Sequence, residues 1–150
     1  MMPLTFRPLT RSDNVEYATW FEDADLAREL GPAWTDEEMT EVLDDAGGCV
    51  WAVARGEELV AVVSVTFPDA DNPTFVIDAL AVRPDLRGAG VAQDVVADVR
   101  AQHELDYGEY WMAFVNEGNG RAKRFFEKLG WECAGQPSAN DGMFRFELRG

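Results

Sequence analysis

The sequence predicts a mixed α/β fold, a central sheet of about seven strands flanked by about four helices. Three observations carry that prediction. Two apolar, β-branched runs, Cys49 to Arg55 and Leu59 to Phe67, meet across Gly56-Glu57-Glu58 as the arms of a hairpin do. A third run, Thr74 to Val82, is apolar at nearly every position, which only a strand covered on both faces requires. Helical and strand patterns then alternate to the end of the chain, with no repeat, low-complexity segment or linker to divide residues 1–150 into more than one domain.

Taken in order, Leu4 to Pro8 alternates as a short first strand. Thr10 or Ser12 caps a helix that runs to about Phe21, with Asp13 and Glu16 near its positive end. Leu26 to Leu30 continues it and stops at Gly31-Pro32. Thr35 with Glu38 forms a capping box for a second helix, which ends near Asp45 before Gly47-Gly48. After the hairpin and the central strand, Gly90 to about His103 is helical, with Val91, Val95 and Val99 on one stripe. Tyr107 to Val115 is a strand, and Asn119 to Leu129 a helix stopped by Gly130. Trp131 to Ala134 and Met143 to Leu148 close the sheet.

Charge and composition exclude several functions. The chain has 150 residues, 28 acidic and 13 basic, for a formal charge of −15. A phosphate-backbone binder needs a basic face, so nucleic acid and anionic membrane are poor partners. No apolar stretch approaches the ~20 residues of a membrane helix. The opening residues carry no secretory pattern, and a soluble, cytoplasmic chain, monomer or homodimer, is expected. Two cysteines, Cys49 and Cys133, and one histidine, His103, make disulfide frameworks, zinc and serine-triad chemistry improbable, so no metal is expected. His103 ends a helix, the usual place of a surface histidine, and Cys133 reads as packing. Acidic charge concentrates in residues 13–45, whereas Arg121, Lys123, Arg124 and Lys128 gather near the C-terminal end.

The segment Asp78-Ala-Leu-Ala-Val-Arg-Pro-Asp-Leu-Arg-Gly-Ala-Gly-Val-Ala92 carries the chemistry. A central strand ends, Pro84 sets a turn, and a glycine-rich loop opens a helix. Glycines let amide N–H groups approach a ligand, and those groups point with the helix's positive end at an anion. Arg87 adds a formal charge. Neither the Walker loop nor the dinucleotide fingerprint is present. The loop therefore reads as a pyrophosphate cradle of another kind.

Leu80 to Ala92 resembles the acetyl-CoA signature of the GNAT superfamily of N-acetyltransferases, Arg/Gln-x-x-Gly-x-Gly/Ala, with Arg87, Gly90 and Ala92 at its defined positions. Asn119-Gly-Arg-Ala-Lys-Arg-Phe-Phe-Glu-Lys-Leu-Gly-Trp131 resembles the family's Asn-x-x-Ala-x-x-φ-Tyr-Glu-Lys-Leu-Gly-Phe segment. The resemblance covers nearly the whole chain, and residues 10–46 match it only in type. It implies the GNAT fold and transfer of acetyl from acetyl-CoA to a primary amine in a ternary complex. By position, Leu80, Ala81 and Val82 would lie along the pantetheine arm, at a strand that splays from its neighbour at a bulge. A backbone N–H there would stabilise the developing oxyanion. Arg87, Gly88, Ala89, Gly90, Val91 and Ala92 would hold the pyrophosphate. Asn119 would bond the pantetheine, Ala122, Phe125 and Phe126 would flank the cofactor, and Lys128 with the other basic residues would meet the ribose phosphate.

The chain departs from the pattern at Phe126, where many members carry the tyrosine that protonates the leaving thiolate. Water, Tyr107 or Tyr110 are the substitutes available. Asp78, two residues before Leu80, stands where members carry a carboxylate base, and is either that base or a structural carboxylate. Trp20, Asp23 and Glu29 would border the acceptor pocket, since Trp20-Phe21-Glu22-Asp23 resembles a stretch of aminoglycoside and protein N-terminal acetyltransferases. The acceptor expected is a cationic small molecule, aminoglycoside- or polyamine-like, or a peptide amine. A non-catalytic acyl-CoA sensor on the same fold is the alternative.

Overall fold

The computed structural model of the chain describes residues 3–71, 74–103, 110–139 and 142–149. In order the elements are β1 (Leu4–Pro8), α1 (Asp13–Thr19), α2 (Ala24–Leu30), α3 (Asp36–Asp44), β2 (Gly48–Arg55), β3 (Glu58–Thr66), β4 (Phe75–Val82), α4 (Val91–Gln102), β5 (Tyr110–Asn116), α5 (Gly120–Lys128), β6 (Glu132–Gly135) and β7 (Met143–Arg149). The seven strands agree with the expectation, and the described residues hold one helix more. The extra helix arises at Asp23, which leaves helical backbone (φ −72°, ψ 121°). Its carboxylate accepts the Leu26 N–H at 3.0 Å, so α2 starts afresh where a continuation was expected. The capping box forms as predicted: Glu38 N–H donates to Thr35 Oγ1 at 3.2 Å, and Thr35 N–H to Glu38 Oε1 at 3.0 Å. Residues 107–109 of the strand expected from Tyr107 lie outside the described residues.

The strands form one sheet in the order β1-β2-β3-β4-β5-β7-β6. All neighbours are antiparallel except β4 and β5, which α4 connects as a crossover. One face packs under α1, α2 and α3, where Leu9, Tyr17, Trp20, Leu26 and Met39 meet Val50, Ala52, Val62 and Ala81. The other packs under α4 and α5, where Val91, Val95, Val99 and Phe126 meet Val53, Val63, Phe75 and Phe146. The valine stripe of α4 is fully buried, and at about 1.5–2 kcal/mol per side chain it anchors the crossover to the sheet.

The structure corrects one side-chain placement here. His103 is 4% exposed and sits among Trp51, Phe67, Phe75 and Trp111, not on the surface. Its Nε2 accepts the Trp51 indole N–H at 3.1 Å. A polar ring is tolerated there because a partner is provided, and helix-end position alone does not reveal the aromatic wall.

Candidate active site

The site begins with a change of register in β4. Ser64 of β3 faces Ala79 and Val65 faces Ile77, so Asp78 is an extra residue with no opposite number, a β-bulge. The alternation of faces reverses across it. Phe75 and Ile77 before the bulge, and Leu80 and Val82 after it, all lie against the α4 side. Ala81 lies in the core under the N-terminal helices.

The ladder between β4 and β5 ends at the same place. Phe75, Val76 and Ile77 pair with Trp111, Met112 and Ala113, and no further pair joins these strands among the described residues. Beyond Ile77 and Ala113 the strands splay. Arg83 N–H donates to the Val60 carbonyl of β3 at 3.0 Å. Peptide groups alternate along a strand, so the Ala81 amide also faces β3 while those of Leu80 and Val82 face the gap. Both residues expected to offer backbone groups are thus aimed at open space, and Ala81 between them is not.

At the C-terminal end of β4, Gly88 and Gly90 have φ of 79° and 80°. A side chain at either would meet no atom within 4 Å, so backbone conformation rather than space demands glycine. Gly90 is the N-cap of α4 and supplies no side-chain cap. The first-turn amides of Val91, Ala92 and Gln93 therefore lack the partner that Asp23, Thr35 and Asn119 give to α2, α3 and α5. A loop that bares amides at the positive end of a twelve-residue helix suits an oxyanion.

By alternation from Ile77, Asp78 projects to the side away from α4, and it is solvent-accessible. Its Oδ2 accepts the Thr66 hydroxyl at 2.5 Å. Partial desolvation pushes its carboxyl above the usual range. The Thr66 bond pulls it down, and the charge of Asp45 adds to the rise. Thr66, at the end of β3, is not marked as a site residue by any motif in the sequence. The only signal is that an antiparallel hairpin brings the end of one strand beside the start of the next. Thr66 also lines a half-open cleft of about 560 Å³ between the loops that follow α3 and β3, with Asp45, Gly47, Phe67, Asp69 and Phe75 among its walls.

Most of the other expected site residues are packed in the cores or held by partners of their own. Trp20 is 4% exposed and packs edge-on to Tyr17 at 5.4 Å, so it is a core residue and no pocket wall. Asp23, besides capping α2, binds Arg87 at two points, 2.9 and 3.1 Å. That guanidinium, with the cap, holds the Asp23 carboxyl below its usual range. Glu29 is bound by Arg121. Phe126 is 5% exposed, stacked on Phe146 at 5.6 Å and against Trp131 at 5.0 Å, so its ring belongs to the core. Phe125 and Ala122 are partly buried beside it. Asn119 Oδ1 caps α5 through the Ala122 N–H at 3.1 Å. Lys128 is exposed in the last turn of α5, about two turns from that cap. The basic cluster divides: Lys123 turns to Glu127 (3.5 Å) and the Phe144 ring (5.1 Å), and Arg121 to α2. Tyr110 pairs with Arg149 at the closed end of β5, about 10 Å of strand before the gap opens, so it does not stand in for the missing tyrosine. Tyr107 lies outside the described residues. No group of three metal-ligating side chains occurs among the described residues, and no helix of the described residues is long and apolar enough to cross a membrane.

Solved structures with this fold include an acetyltransferase from Thermus thermophilus, 19% identical, with a TM-score of 0.82 over 99% of both chains. An aminoglycoside N(6′)acetyltransferase from Legionella pneumophila is 16% identical, with a TM-score of 0.78 over 99% of this chain and 93% of that one. A spermidine N-acetyltransferase from Vibrio cholerae, solved with CoA and spermine, is 16% identical, with a TM-score of 0.76 over 97% and 95%. No curated protein matches the chain in sequence. Residues 16–131 match the sequence model of the acetyltransferase (GNAT) family. With that match over most of its length and a seven-stranded sheet split between its two parallel strands, the chain belongs to the GNAT family of acetyltransferases.

Proposed function

We propose that this single domain is an acetyl-CoA-dependent N-acetyltransferase whose acceptor is a cationic primary amine. One observation carries the reading: the β4–β5 ladder ends at the bulge that bears Asp78, and the glycine loop lies at the far end of the same strand. Cradle, gap and carboxylate thus lie along one strand, with about 13 Å from Val82 to Asp78.

When bound, acetyl-CoA supplies the activated acetyl thioester. Gly88 to Ala92, with the open first turn of α4, hold its pyrophosphate, and Arg87 adds charge. The Leu80 and Val82 amides, aimed into the gap, orient the arm and donate to the carbonyl oxygen that gains charge during attack. Asp78 takes a proton from the substrate ammonium, freeing the amine lone pair for attack, and its raised affinity for protons suits that task. The cleft beside Thr66, with Asp45 and Asp69 in its walls, is the approach for the amine. A polyamine- or aminoglycoside-like acceptor fits an acidic wall better than a neutral one does.

The core position of Phe126 favours a second reading, an acyl-CoA sensor without turnover, since no side chain there donates a proton. One plate separates the two. Thermal-shift titration with acetyl-CoA reports binding, at about 2.7 kcal/mol of stabilisation for a hundredfold excess over Kd. Free-thiol release with a panel of polyamines, aminoglycosides, amino acids and peptides reports transfer. A shift with thiol from cationic amines is the expected result. A shift without thiol selects the sensor, and no shift removes both readings.

A further inference from the structure

Helix α2 ties the glycine loop to the first turn of α5 through two arginines. Asp23 at its start holds both terminal nitrogens of Arg87, on the glycine loop, and Asp25 Oδ2 lies 3.7 Å from the same guanidinium. Glu29, one residue from its end, holds Arg121 in the first turn of α5. Asp23 and Glu29 lie about 9 Å apart along the helix, so one short element spans both arginines. The Arg87 and Asp23 side chains are 26% and 29% exposed; in the second pair Glu29 is 10% exposed and Arg121 45%.

We propose that Asp23 and Glu29 are competing carboxylates that attenuate phosphate binding: they occupy Arg87 and Arg121, so a bound phosphate must displace them. The inference rests on the reading of residues 87–92 as the cofactor cradle and of the basic residues of α5 as its ribose-phosphate contacts. A guanidinium already bound at two points presents little net charge, and a phosphate that takes it breaks two charge-assisted hydrogen bonds. The new phosphate bonds offset that loss only in part, so the acids lower affinity for every phosphate ligand. The exchange also trades one ion pair for another, so binding to the wild-type protein releases little net charge and depends weakly on salt.

The substitutions D23N and E29Q test this with little disturbance, because asparagine is as good an N-cap as aspartate and keeps the Leu26 bond. Isothermal titration of the full chain, wild type against D23N, E29Q and the double variant, uses CoA and inorganic pyrophosphate at low and high salt. The expected result is roughly three- to tenfold tighter binding of both ligands by the double variant, with a steeper fall as salt rises. Unchanged or weaker binding with an unchanged salt slope overturns the proposal. If CoA binds and R87A weakens it while D23N does not tighten it, only this inference falls. If the wild-type chain binds no CoA, the cofactor reading falls and takes the inference with it.

Discussion

The Thr66 hydroxyl donates to Asp78 at 2.5 Å, tying the end of β3 to the bulge of β4. That bond favours the ionised carboxylate, against desolvation and the charge of Asp45. Replacing Thr66 by valine removes the lowering influence, so the acid limb of kcat/KM moves to higher pH. A pH–rate profile of T66V beside wild type checks the direction.

Asp78→Asn removes the proposed base and is expected to lower kcat about 10²- to 10⁴-fold while CoA affinity stays the same. Stability moves the other way. The folded pKa of Asp78 is raised, so the folded state holds the proton more tightly than the unfolded chain does. The stability of wild type relative to the asparagine variant is therefore fully present below the ordinary carboxylate pKa and lost as pH rises through the raised one. At neutral pH the asparagine variant melts higher. Parallel melting curves from pH 3 to 8 read this out.

Gly90→Ala isolates backbone conformation, since the added methyl meets nothing within 4 Å. At φ 80° the cost is about 1–2 kcal/mol, measured by urea unfolding. Because the strain re-aims the first-turn amides of α4, CoA titration should show weaker binding as well.

His103→Ala is expected to cost about 3 kcal/mol. It leaves the Trp51 indole N–H without its acceptor and opens a hole among four aromatic rings. Denaturant unfolding gives the loss, and a change in Trp51 emission locates it.

Asp13 is held at about 2, first by the Arg7 hydrogen bond at 2.7 Å and then, against desolvation, by Thr10. A depressed folded pKa stabilises above the unfolded value of about 3.9, and that contribution disappears as pH falls toward 2. Arg7 is half exposed, so the amount is at most about 1 kcal/mol. Asp13→Asn should flatten the acid limb of the wild-type melting curve by that much.

Local signals in the sequence anticipate much of this architecture. The hairpin, the valine stripe of α4, the capping box at Thr35 and the glycine loop all form where spacing and turn chemistry put them. Those features depend on residues a few positions apart. What stays hidden depends on residues brought together from a distance. Asp23 and Glu29 read as acids of the acceptor pocket because their partners stand 64 and 92 residues away. Thr66 is an ordinary strand residue until the bulge turns Asp78 toward it. The resemblance assigns Trp20 to the acceptor pocket and Phe126 to the cofactor, yet the turn after α1 and the face of α5 that carry them close the two cores. The same distance effect hides the aromatic box of His103, whose walls come from β2, β4, β5 and the loop after β3.

Three residue pairs, Phe75–Ile77 with Trp111–Ala113, are all that stitch the first four strands to the last three among the described residues. The remaining ladders run nearly the full length of their shorter strand. The sheet therefore carries a seam, and sub-global opening should start there, with the two halves losing amide protection as separate units. The proposed ligand arm along Leu80 and Val82 would act as a surrogate strand across that seam. Its binding would merge two cooperative units into one, so unfolding of the loaded protein becomes a single sharper transition.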